Sequence, residues 1–499
     1  MLFNSYIFIF VFLPATAFLF HLLRYKRFFR SSFVVLVAAS LFFYAWWSPE
    51  YLVLLMSLIL FNFGIAQAMF FAKKNNGRYL KVLLIAGIAS NLAILSYYKY
   101  ANFFVDNLNY FSGFNLTMAT VILPIGISFF TFQKIGLLVD IYQNKIVELD
   151  FLYYSLFVTF FPQLIAGPIT HHSEVIPQFK GLKNVSFDPI CRGINYFVIG
   201  LSKKAVLADS IAKFATLQFN ACAQGQHLDF LAVWSAALAY TVQLYFDFSG
   251  YSDMAIGLGL LFGIELPINF NSPYKSKSVI EFWQRWHITL SRFLKDYLYI
   301  PLGGNRKGNS RRYFNLLITM FLGGFWHGAG WTFIAWGALH GLYLVINHGW
   351  RSLINHFNIR FKEDDFIPNL SARILTFLAI VMAWVFFRAR DLNTAGDMIK
   401  SMLGLNGFSL PSHSTSPCDP AITLAADLIL LLITWTAPNT QELMHYTGPQ
   451  YANTRQAVQG SENQKVWRPS LAWGLYIGSL FALSLMMLSR VSEFIYFQF

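Results

Sequence analysis

Apolar residues in this chain run in long unbroken stretches of helical length, parted by short polar breaks, instead of alternating with polar ones. A helix of about twenty apolar residues crosses a hydrocarbon core, and windows of that size predict about eleven to thirteen membrane segments. The candidates are 6–23, 33–47, 51–71, 80–98, 118–138, 151–169, 192–208, 230–246, 254–264, 313–325, 331–347, 374–388, 422–436 and 471–489. Several are too short to cross alone, and some of these are expected to be re-entrant. Only a helix or a closed barrel satisfies its own backbone in lipid, so the pattern predicts an all-α, polytopic integral membrane protein. Polar stretches at about 348–370, 389–420 and 437–468 are too short for cores of their own, which leaves one membrane domain, 1–499, with an aromatic tail at 494–499.

Composition agrees: 56% of the 499 residues are hydrophobic and only 12% charged, with a mean hydropathy of +0.48. The net charge of +13 fits cytoplasmic loops facing anionic lipid better than nucleic-acid binding. Arg24, Lys26, Arg27 and Arg30 follow the first apolar run, and Lys73, Lys74, Arg78 and Lys81 follow the next helical hairpin. Placing both clusters in the cytoplasm puts the N-terminus outside; Lys465 and Arg468 before the last run put the C-terminus outside as well. The first run has neither a basic segment before it nor a small-residue cleavage site after it, and is expected to be a retained span. Cys191, Cys222 and Cys418 have no disulfide or metal-ligand spacing. No fixed-period repeat is present, which weakens a transporter built from inverted repeats.

Two histidines stand out. His327 lies in Gly323-Gly324-Phe325-Trp326-His327-Gly328-Ala329-Gly330-Trp331, with apolar runs on both sides. An ionisable ring at membrane depth is costly and marks a candidate functional site, although a structural bond to a carbonyl would also hold it. The glycines permit close backbone approach or a broken helix. His287 lies in Glu281-Phe282-Trp283-Gln284-Arg285-Trp286-His287-Ile288-Thr289-Leu290-Ser291-Arg292. If this segment is one helix, Gln284, His287, Ser291 and Lys295 share a polar stripe. An amphipathic interfacial helix would show the same pattern. His340, on a straight helix, would lie about 20 Å from His327 and outside its site.

Arg306, Lys307, Arg311 and Arg312 stand in and beside a glycine-rich loop that suits a phosphate-bearing donor, or equally an ordinary positive-inside loop. In Tyr245 through Asp253, the carboxylates Asp247 and Asp253 and the hydroxyl of Ser249 lie in apolar surroundings. Buried carboxylates must be paired, bonded or neutral, so a supporting role is expected, orienting a histidine or holding Arg285 or Arg292. His171-His172 is expected in a loop near the membrane surface. No serine elbow, reactive-cysteine setting or metal motif appears, so metal and covalent-hydrolase chemistry have no support in the sequence.

Taken together, Tyr245–Asp253, Trp283–Ser291, Asp296–Asn305 and Phe325–Gly328 resemble the membrane-bound O-acyltransferase (MBOAT) family, in particular its bacterial polysaccharide branch of alginate O-acetylation. The resemblance covers most of the chain. It implies a helical bundle with re-entrant helices and a transbilayer tunnel, in which His327 and His287 are the catalytic histidines, supported by Asp247, Ser249, Asp253, Gln284, Arg285, Ser291 and Trp326. It implies an acyl-CoA-dependent O-acyltransferase of the inner membrane, using acetyl-CoA with no covalently bound cofactor. The acceptor is an extracytoplasmic polysaccharide, alginate first and peptidoglycan next, reached through a periplasmic SGNH-hydrolase-like partner or an export complex. The aromatic tail resembles a tyrosine-containing motif of acyl relay, making Tyr496 a candidate acyl carrier; an aromatic interfacial anchor is the alternative. From a different class, a proton-coupled transporter or flippase would also use buried histidines and aspartates.

Overall fold

The computed structural model describes residues 1–75, 77–358, 365–408, 420–451, 467–488 and 494–495. Most of these residues are helical, and no strand occurs among them. Four helical stretches are long and apolar enough to cross a membrane: Phe8–Tyr25, Pro49–Lys74, Leu80–Ser112 and Phe366–Arg388. The apolar helices Phe29–Ala45, Ile422–Thr436 and Leu471–Met487 are shorter. The chain divides into two compact units.

The first unit comprises Met1–Leu201, Tyr251–Ile268 and Thr440–Ser489. Its polar side chains mostly serve packing. Asn62 and Asn91 exchange buried amide hydrogen bonds between Pro49–Lys74 and Leu80–Ser112. At the end of the first helix the buried Arg24 guanidinium donates to the carbonyls of Leu182 and Lys183 and to Ser32. Asp150 caps Phe151–Thr159 by accepting from the Leu152 and Tyr153 amides. The expected segment 151–169 divides here into Phe151–Thr159 and Phe161–Leu164, the second beginning with Pro162 in its first turn.

The second unit comprises Ser202–Gly250, Asn269–Asn439 and Arg490–Phe499. Its centre is the antiparallel pair Gly308–His327 and Trp331–His356, reversed by the extended residues Gly328 and Gly330. The helices pack backbone to backbone: a Cβ on Gly324 would lie 2.4 Å from the Phe333 carbonyl oxygen, and one on Gly337 would lie 2.4 Å from that of Met320. This close approach sets where His327 emerges.

The structure joins the expected segments 230–246 and 254–264 into one helix, Phe230–Leu261. The carboxylates between them do not interrupt it because both are bonded inside the protein. Within the polar stretch 389–420, Leu392–Met402 is helical, with Asp391 accepting from the Thr394 amide at its start.

Candidate active site

The segment around His287 is not one helix, so the expected polar stripe does not form. Val279–Arg285 ends, His287 takes a left-handed conformation (φ 43°, ψ 52°), and Ile288–Leu294 begins. Such a conformation is unfavourable for a non-glycine residue and persists only where its surroundings enforce it. Asn269 supplies the enforcement. Its carbonyl oxygen accepts from the Ile288 amide at 3.0 Å, and its side-chain oxygen accepts from the Thr289 amide (3.3 Å) and hydroxyl (2.9 Å). Those donors are the orphan groups of a new helix, so Asn269 caps it from a distant part of the chain.

The same oxygen lies 3.1 Å from His287 Nδ1. Since the Thr289 amide can only donate, this atom is an acceptor, and His287 must donate to it from Nδ1. The neutral ring therefore carries its proton on Nδ1 and its lone pair on Nε2. His287 lies outside the four spanning helices and is 1% exposed. Burial pushes its imidazole down to about 3, so it is neutral at physiological pH.

His327 is the last residue of Gly308–His327 and is 4% exposed. Rings hold it: Trp326 at 5.0 Å, Trp336 at 5.0 Å and Phe387 at 5.3 Å between centroids. The His287 and His327 rings are 6.5 Å apart. The structure thus brings together two imidazoles separated by forty residues, both buried in protein, one with its tautomer set.

Of the other expected site residues, Trp326 is part of this wall, and Ser249 is buried in the second unit. Asp247 does not hold Arg285 or Arg292; Lys204 is its ionic partner at 2.6 Å. Arg285 pairs instead with Glu281 at 2.9 Å. Asp253 belongs to the first unit, where it accepts from the Thr440 hydroxyl at 2.6 Å. Gln284 is exposed, and Ser291 is directed to the Trp286 carbonyl at 3.5 Å. His172, in the first unit, lies 3.1 Å from Asp140. Arg306, Lys307 and Arg311 are exposed and Arg312 half-buried, and the loop runs directly into the N-terminus of Gly308–His327. Tyr496 lies outside the described residues.

Three residues of the site escaped the sequence reading. Asn269 has no periodic relation to His287. Trp336 carries no motif, and His340 is placed outside the site by the assumption of one straight helix. The reversal at Gly328–Gly330 instead folds them back, so Trp336 meets both His327 (5.0 Å) and His340 (4.7 Å) edge-on, while Trp283 Nε1 donates to His340 Nδ1 at 3.3 Å. The glycines themselves were the available signal.

Among the described residues the protein is helical and apolar, without a strand, and buries two neighbouring imidazoles, as befits an integral membrane protein with a protected site. The sequence profile described as "MBOAT, membrane-bound O-acyltransferase family" matches residues 41–389, and the chain belongs to this family. It is a multi-pass membrane protein and an acyltransferase. It is 41% identical to the peptidoglycan O-acetyltransferase of Helicobacter pylori, over all of this chain and 98% of that protein. It is 37% identical to the probable alginate O-acetylase AlgI of Pseudomonas putida over the whole of both. The teichoic acid D-alanyltransferase of Bacillus subtilis is 30% identical over 52% of this chain and 66% of its own length.

Proposed function

We propose that this chain is an O-acetyltransferase that moves acetyl groups from cytoplasmic acetyl-CoA across the bacterial inner membrane to an extracytoplasmic polysaccharide. The observation that carries the reading is the buried pair His287 and His327, 6.5 Å apart, in a member of an O-acyltransferase family. A hydroxyl attacks the thioester carbonyl as His327 takes its proton; the new C–O bond forms, the C–S bond breaks, and the departing thiolate receives the proton. His287, whose Nε2 carries a lone pair and so has no proton to donate to the thioester carbonyl, assists the proton transfer as an acceptor. A tunnel joins a cytoplasmic donor mouth, where Arg306, Lys307, Arg311 and Arg312 meet the donor phosphates, to an outer acceptor mouth. Both termini are periplasmic.

Tyr496 is the first acceptor in this scheme. Phenols in general have a pKa near 10, well below that of a sugar hydroxyl, so a phenyl ester is more activated than a sugar ester and can pass the acetyl group onward. A periplasmic SGNH-hydrolase-like partner within a polysaccharide synthesis or export complex completes the transfer. The full-length similarity to a peptidoglycan O-acetyltransferase makes peptidoglycan the first acceptor to assay, and alginate the second. The test incubates purified enzyme with acetyl-labelled acetyl-CoA and follows label into protein, then into O-acetylated muropeptide or alginate. Label on the protein that disappears in Tyr496→Phe supports the relay. A proton-coupled transporter would acquire none, and that result would overturn the proposal.

A further inference from the structure

The structure assigns a positioning role to Asp247 and Lys204: they latch the C-terminal segment beside the histidine pair. This inference rests on the acetyl-transfer reading above.

Lys204 stands in the helical turn Lys203–Ala208 and is 3% exposed. Its ammonium lies 2.8 Å from Asp209 and 2.6 Å from Asp247, whose carboxylate is 1% exposed. Both carboxylates lie against the one ammonium. A buried carboxylate needs further donors. One comes from the far end of the chain: the Ile495 amide donates to Asp247 Oδ2 at 3.1 Å, across 248 residues of sequence.

The adjoining residues make a second tie. Phe494 is 3% exposed, and its ring lies 5.5 Å from that of Phe248, the neighbour of Asp247. The Phe248 ring stands edge-on to His287 at 4.8 Å. Consecutive residues of one helix therefore grip consecutive residues of the chain end, by charge and by aromatic contact. The aromatic grip is one ring removed from an imidazole of the site. Chain ends normally fray unless tied down. Here the tie uses a buried charge, which an inert anchor on apolar surroundings would not need, and it falls just before Tyr496 in sequence.

The test uses the full-length enzyme in detergent and two single substitutions. Asp247→Ala removes the acceptor while leaving Lys204 its Asp209 partner; Phe494→Ala leaves every buried charge in place and covers the case in which Asp247→Ala folds poorly. Amide exchange of the C-terminal peptide should quicken about tenfold in each, with exchange elsewhere unchanged. Turnover of acetyl transfer should fall about tenfold at unchanged KM for acetyl-CoA, and the double variant should be no worse than either single one. Unchanged exchange, unchanged turnover, or losses that multiply in the double variant would overturn the latch. Full transfer by His327→Ala would instead overturn the acetyl-transfer reading, and the exchange result would stand apart from it.

Discussion

The two imidazoles of the site are held by different means. His287 is fixed by polar contacts: a left-handed backbone, and Nδ1 bonded to an Asn269 oxygen that also binds Thr289. His327 is fixed by rings, with Trp326, Trp336 and Phe387 setting its plane. A hydrogen bond at Nδ1 commits the His287 ring to one neutral tautomer, and the aromatic wall fixes the plane of His327. His327 also ends its helix, where carbonyl dipoles favour the positive charge that a base acquires during proton transfer. In the proposed mechanism His327, at its helix end, takes the proton and His287 assists. His327→Ala should therefore lower turnover by about a thousandfold, and His287→Ala by about a hundredfold, with KM for the acyl donor nearly unchanged in both. The opposite ranking in steady-state kinetics of the purified variants would transfer the role of base to His287.

If Asn269 sets the tautomer, its loss should be felt through His287. Asn269→Ala should lower turnover by about tenfold, and Thr289→Val, which leaves the Asn269 to His287 bond in place, by only about twofold. Combining Asn269→Ala with His287→Ala should cost no more than His287→Ala alone, because one acts through the other. Multiplying losses would show that Asn269 serves the site by another route.

The same contrast explains what could be read from the sequence. Helices, apolar runs and the aromatic setting of His327 were legible because each is local: contiguous hydrophobicity, neighbouring rings and clustered glycines. The tie between Asn269 and His287 was not, since it depends on a chain break at position 287 that propensity does not announce; a run of helix-compatible residues conceals one residue of positive φ. His340 was missed because thirteen residues on a straight helix are far apart, whereas a reversal at Gly328–Gly330 brings Trp336 between the two rings. The pairing of Asp247 was not legible because a lysine forty-three residues upstream is about as distant in sequence as the arginines thirty-eight and forty-five residues downstream, and only the packing chooses between them.

The polar clamp on His287 also has a signature in pH that the kinetics do not report. In the unfolded chain an imidazole takes a proton near pH 6.5, while folded His287, pushed down to about 3, does not. Between those values the unfolded state binds the extra proton, so acidification favours unfolding, and stability rises as pH rises toward 6.5. His287→Asn removes this titration and keeps a residue that tolerates positive φ. Melting in detergent should fall more steeply for the parent than for His287→Asn as pH drops from 7 to 5, by about 1.4 kcal/mol per unit at most below 6.5. Other buried groups titrate alike in both proteins, so the difference between the curves isolates this ring. Parallel curves would mean that His287 exchanges protons in the folded state as readily as in the unfolded one, and that its bond to Asn269 does not hold the ring neutral.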